Sequence, residues 1–117
     1  METVIQQIKN KLSEDGTEVY FPGYHKGECM KPYIVVKYAG AVDLINMSSD
    51  RPLYDILLYV PENKYSMLEN FRFETMKKMK QIFPLVKIVG GSETQSVYEE
   101  EIKAHMISIQ YQGIRKL

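Results

Sequence analysis

The sequence predicts an α+β fold, a mainly antiparallel sheet flanked by two helices, in a single domain over residues 1–117. Three observations carry that expectation: an amphipathic run at the N-terminus, a series of β-branched and aromatic runs, and a longer helical period after residue 61. Strands and helices fall in blocks instead of strict alternation, which is the α+β pattern. A chain of 117 residues is long enough to bury one core and too short for two.

Residues 2–14 place Val4, Ile5, Ile8 and Leu12 at helical spacing, with Gln6, Lys9 and Asn10 elsewhere on the wheel. This is a short amphipathic helix. Asp15 and Gly16 end it, because glycine takes the left-handed conformation found at helix ends. Residues 18–21 form a strand that closes at Pro22 and Gly23, and 23–32 read as a loop of mixed polarity. Residues 33–38 are a strand rich in β-branched and aromatic side chains. Ala39 and Gly40 break it before a weaker strand over 41–46, residues 48–52 turn, and 53–60 form the next strand. Runs separated by such short breaks predict an antiparallel meander.

Pro61, Glu62 and Asn63 then open the major helix, with Asn63 as its N-cap. Between 65 and 83 the apolar positions Tyr65, Leu68, Met76, Met79, Ile82 and Phe83 follow the helical period. Lys77, Lys78 and Lys80 fall late in this helix, where positive charge suits the dipole, and Pro84 ends it. A short strand over 86–89 leads into a flexible loop at 90–94. The last strand, over 102–111, alternates Ile107, Ile109 and Tyr111 with Met106, Ser108 and Gln110.

Alternation along the strands exposes a difficulty. Successive residues point to opposite faces, so Ile34, Val36 and Tyr38 oppose Tyr33, Val35 and Lys37. Likewise Tyr54, Ile56, Leu58 and Val60 oppose Leu53, Asp55, Leu57 and Tyr59. Both sets are substantially apolar, whereas an antiparallel sheet covered on one side carries a polar second face. If both helices cover one side, the other has the mixed composition of a protein interface. If the helices sit on opposite sides, or the sheet curls, both faces are buried within the chain. Periodicity does not choose between these arrangements.

Composition narrows the function classes. Fifteen basic and fifteen acidic residues balance, which gives no support to nucleic-acid binding driven by phosphate neutralisation. No apolar stretch reaches the ~20 residues of a membrane span, and the N-terminal pattern is not that of a signal peptide. The single cysteine, Cys29, rules out an internal disulfide, and the cytoplasm is the expected compartment. His25 lies near Glu28 and Cys29, but zinc takes about three or four ligands at tight spacing, and this group lacks them. His105 reads as a structural strand histidine. Gly90, Gly91 and Ser92 fail as a phosphate loop because no helix or Gly-Lys-Ser/Thr pattern follows. Glu99, Glu100 and Glu101 read as a solvated edge that discourages stray strand pairing. No catalytic constellation and no cofactor signature is legible, so the expectation is a non-enzyme without cofactor or metal.

Several segments resemble a family of small tailed-phage proteins, the minor capsid proteins of the neck. They are Arg51-Pro52-Leu53-Tyr54, Tyr59-Val60-Pro61, Lys64-Tyr65-Ser66-Met67-Leu68-Glu69, Gly91-Ser92-Glu93-Thr94, Tyr98, and the run from Lys103 to Tyr111. The resemblance covers residues 51–115 by sequence and the first fifty by element order. It implies a tail terminator: an α+β subunit of a ring, typically hexameric, that caps the tail tube in the virion neck and offers a surface for head attachment. The implied partners are further copies of the chain, the tail tube protein and the head–tail connector proteins, with DNA passing through the ring. Neighbouring neck roles, such as a head-closure, stopper or tail-completion protein, remain as alternatives. A small-ligand regulatory module using the loop around His25 is a more distant one.

A closed ring needs two different adhesive surfaces on each subunit. The expected oligomer surface is the strand residues Tyr33, Val35, Leu57 and Tyr59, taken as exposed. The expected contacts to tube or connector lie in two loops, at Tyr24, His25, Lys26 and Glu28 and at Ser92, Glu93 and Thr94.

Overall fold

The computed structural model describes residues 3–25, 27–43, 49–113 and 115–116. Helix α1 (Val4–Leu12) begins behind Thr3, whose hydroxyl accepts from the Gln6 amide at 3.3 Å while the Gln6 carboxamide oxygen accepts from the Thr3 amide at 2.9 Å. This reciprocal box satisfies donors that the first helical turn leaves free. The helix ends earlier than expected, at Leu12 with Ser13 as its cap, and Gly16 at φ +91° belongs to the turn that follows.

The strands are β1 (Glu18–Tyr20), β2 (Tyr33–Asp43), β3 (Ser49–Pro61), β4 (Val86–Ile88), β5 (Val97–Glu99), β6 (Ala104–Gly113) and β7 (Arg115–Lys116). Between β3 and β4 a 3₁₀ turn, Glu62–Met67, leads into α2 (Leu68–Lys80). The sheet runs β1-β2-β3-β6-β4, with β5 also on β6 and β7 on β3. The architecture is α+β, a mostly antiparallel sheet with two helices.

Several boundaries differ from the sequence expectation. Ala39 and Gly40 do not end a strand: β2 continues through a register shift between Tyr38 and Ala41, with Gly40 at φ +105°. The one extra residue is absorbed as a bulge, which a glycine at positive φ permits. Residues 49–52, expected in a turn, belong to β3, while Ser48 and the end of the expected weak strand lie outside the described residues. The meander is also incomplete, because β1 pairs with β2 in parallel. A parallel neighbour needs a crossover of about a dozen residues, and the 21–32 loop supplies it. The long helix is shorter than its period suggests: Tyr65 lies in the 3₁₀ turn and Phe83 beyond α2, and they are 53% and 64% exposed.

Both helices pack on the same side of the sheet. Ile8 and Leu12 of α1 and Leu68 and Met79 of α2 share one buried cluster with Ile34, Val36, Ile56, Leu58, Ile107 and Ile109. These strand residues lie opposite one another in register, Ile34 to Leu58 to Ile107 and Val36 to Ile56 to Ile109, so they form continuous apolar rows beneath the helices. The helices are tied together at one end by Lys78. Its ammonium pairs with Asp15 at 2.6 Å and donates to the Leu12 carbonyl at 3.3 Å. Lys78 is therefore a structural strut, unlike the exposed Lys77 and Lys80 beside it. No helix among the described residues is long and apolar enough to cross a membrane.

Candidate functional site

The face away from the helices carries the residues expected to form the oligomer surface, and the register brings them together. Tyr33 lies opposite Tyr59 and Val35 opposite Leu57, giving two adjacent rungs on β2 and β3. Strand β6 extends the same face, with Met106 beside Tyr59, Ser108 beside Leu57 and Gln110 beside Asp55. Along the strands the face thus grades from aromatic and apolar at one end to polar at the other, where the Gln110 amide donates to Asp55 at 3.1 Å.

The apolar end has partial cover from the 21–32 crossover. Cys29 packs with Tyr33 and Ala104, and its amide donates to the Ile102 carbonyl at 2.7 Å. His25 stacks on Tyr33 with ring centroids 4.0 Å apart, and Tyr59 stacks on the other side at 4.8 Å. The expectation that all members of the set are exposed is corrected at Tyr33, which is 4% exposed. Its burial follows from the parallel crossover, which no strand pattern announces. Val35, Leu57 and Tyr59 remain half-buried, with no helix over them.

The electrostatics of this end are those of a packed cluster. Burial pushes the Tyr33 and Tyr59 phenols up, with further upward pressure on Tyr33 from Cys29 and on Tyr59 from Glu99. Burial also pushes up the Cys29 thiol, which donates to the Lys31 carbonyl at 3.4 Å. A thiol held protonated is a poor nucleophile. His105 sits between Tyr65 and Tyr98, ring centroids 4.6 and 5.1 Å away, its Nε2 3.3 Å from the Glu62 carbonyl oxygen. Among the described residues no group of histidine, cysteine and carboxylate side chains could hold a metal ion.

The two candidate contact loops take different roles. On the crossover, Tyr24 is 74% exposed, His25 is held against Tyr33, and Glu28 pairs with Lys103 at 3.5 Å. Lys26 lies outside the described residues. Met30, 79% exposed on the same loop, was not singled out by the sequence. The other loop is not a free connector. The Ser92 hydroxyl accepts from the Gln110 amide at 3.1 Å and lies 3.3 Å from its carbonyl, while the Thr94 hydroxyl accepts from the Ser108 amide at 3.0 Å. Glu93 pairs with Arg72 of α2 at 3.0 Å. Between β4 and β5 these side chains supplement the backbone bonds from the Val89 amide to the Gln110 carbonyl and from the Thr94 amide to the Ser108 carbonyl, and so blunt what would be an open sheet edge.

A second concave feature opens beside the helices. A groove of about 490 Å3 between α2, β4 and the end of β6 is lined mostly by apolar side chains. Its wall contains Phe83 and Ile88, and Lys80 and Lys87 also line it. Sequence reasoning missed it because helical spacing assigned Phe83 to the core. The proline that follows, Pro84, was the signal that the chain leaves the helix there.

No family model matches the chain, and no curated protein matches its sequence.

Proposed function

We propose that this chain is a structural subunit of a phage neck, a tail terminator that assembles as a ring on the tail tube and presents a surface for head joining. The observation that carries the reading is the second face of the sheet. Val35 and Leu57 stand opposite one another with Tyr59 on the adjacent rung, all half-buried on a face that no helix among the described residues covers, and a half-apolar, half-polar surface of this kind suits a protein interface. The segments between residues 51 and 115 that resemble neck proteins support it independently. The balanced charge supports it too, since a ring around passing DNA does not require a tight grip on the phosphates.

On this reading the role is assembly, not catalysis. The cysteine and the two histidines are engaged in packing: Cys29 is buried, which pushes its thiol up, His25 is stacked on Tyr33, and His105 lies between tyrosines. Exposed Tyr24 and Met30 on the crossover are the residues proposed to meet the tube or the connector.

Deleting the gene and imaging the particles tests the reading. A terminator predicts overlong or ragged tubes without heads. Normal-length tails detached from heads would assign the chain to a joining role instead, and intact particles would remove it from the neck altogether.

A further inference from the structure

We propose that the groove at the end of α2 receives the corner between β5 and β6 of a second copy of this chain, joining subunits head to tail. The inference rests on the ring reading above and adds to it a joint between subunits that is separate from the helix-free sheet face. Met79, Val86 and Tyr111 form the buried floor of the groove, and Phe83 and Ile88, 64% and 37% exposed, form the wall. Lys80 and Lys87, both exposed, also line the groove, and among the described residues neither has an ion-pair partner.

The corner is the complement. Val97 and Tyr98 are 50% and 46% exposed, and Glu99, Glu100 and Glu101 follow them directly. Glu100 and Glu101 are exposed and, among the described residues, have no ion-pair partner either. An apolar pair followed by carboxylates thus meets an apolar cleft that also carries ammonium groups, the match in shape and sign that gives an interface its register.

Position supports the same pairing. Glu99 pairs with Ala104 at one end of β6, and Ile88 pairs with Tyr111 near the other. At ~3.3 Å per residue the corner and the groove are roughly 20 Å apart along one rigid strand. A subunit therefore cannot fill its own groove. Two different patches at opposite ends of a strand make a heterologous contact, which repeats and closes into a ring when the rotation permits.

Charge reversal tests this. The double variants K80E/K87E and E100K/E101K each give groove and corner the same sign, so each alone should associate at least about tenfold more weakly than the native chain in sedimentation velocity. A one-to-one mixture should recover association, because each variant then supplies the other's complement. Unchanged circular dichroism spectra and melting curves show that both variants fold. Carbodiimide cross-linking of an isotopically mixed native sample at millimolar concentration then maps the joint. Links from Lys80 or Lys87 to Glu99, Glu100 or Glu101 of another copy support it. Links only through other residues overturn this joint and leave the ring reading standing. A mixture that fails to recover association, or a native chain that stays monomeric throughout, also overturns the joint. The gene-deletion micrographs judge the ring independently of either outcome.

Discussion

Leu57 and Leu58 are neighbours in the chain and opposites in the fold. Leu58 is fully buried beneath the helices, in line with Ile34 and Ile107, whereas Leu57 stands half-buried on the other face beside Val35 and Ser108. The residue type is the same, and the strand is the same. What differs is the cover: α1 and α2 both pack on one side, and among the described residues the other has only the crossover loop at its aromatic end. Apolar side chains on the first face have a use within the chain. Those on the second face acquire their full use only if something else covers them.

The sharpest break between the faces is in stability. Truncating Leu58 to alanine removes a fully buried side chain and leaves a cavity, so a loss of about 3 kcal/mol is expected in urea unfolding. Leu57→Ala should cost less than about 1 kcal/mol in the isolated chain, because its side chain keeps contact with water. Its effect should appear instead in assembly, with Leu57→Asp folding normally and failing to support neck formation in particles. Equal losses of stability from Leu57→Ala and Leu58→Ala would mean that the second face is enclosed by its own subunit, and the comparison would fail.

A smaller difference separates the two edges of β6. On one side it is zipped to β3 along its length. On the other, β4 and β5 leave a gap where the Ser92 and Thr94 hydroxyls accept from β6 amides while the Val89 and Thr94 amides donate to β6 carbonyls. Thr94→Val removes the acceptor for the Ser108 amide and Ser92→Ala the acceptor for the Gln110 amide. Each should cost about 1 kcal/mol and speed hydrogen exchange at the amide it exposes. Unchanged protection at Ser108 and Gln110 would show that these hydroxyls do not hold the edge.

How much of this was legible follows from which forces are local. The N-terminal helix, the central strands and the identity of the buried rows follow from alternation and helical spacing, and they stand as read at Ile34, Val36, Ile56, Leu58, Ile107 and Ile109. The set Tyr33, Val35, Leu57 and Tyr59 was placed on one face because side chains alternate, and the register does bring it together. Non-local choices were hidden. Parallel pairing of β1 leaves no mark on three residues of strand, so the loop that buries Tyr33 could not be foreseen. Serine and threonine at 92 and 94 look like any loop residues until β6 lies beside them. Phe83 fits the helical period, and Pro84 after it is the local sign that the chain leaves the helix.

The smallest expected effect lies at the junction that holds both helices on one face. The Lys78 ammonium, hydrogen-bonded to Asp15 and helped by Thr17, holds the Asp15 carboxyl down at about 2. In the unfolded chain the group returns to its ordinary value of 3.8. A depressed folded-state pKa stabilises the fold only while the carboxylate is charged, so the contribution is complete above about pH 4 and fades as pH falls toward 2. The Asp15 side chain is 55% exposed, and solvent screening limits the gain to below about 1 kcal/mol. Asp15→Asn should therefore lower stability slightly at pH 7, and that deficit relative to the native chain should vanish near pH 2. Added salt should narrow it as well, because the pair is open to water. A deficit that persists unchanged at pH 2 would show that Asp15 does not act through its charge. The strut between the helices would then rest on the bond from Lys78 to the Leu12 carbonyl, which protonation of Asp15 leaves in place.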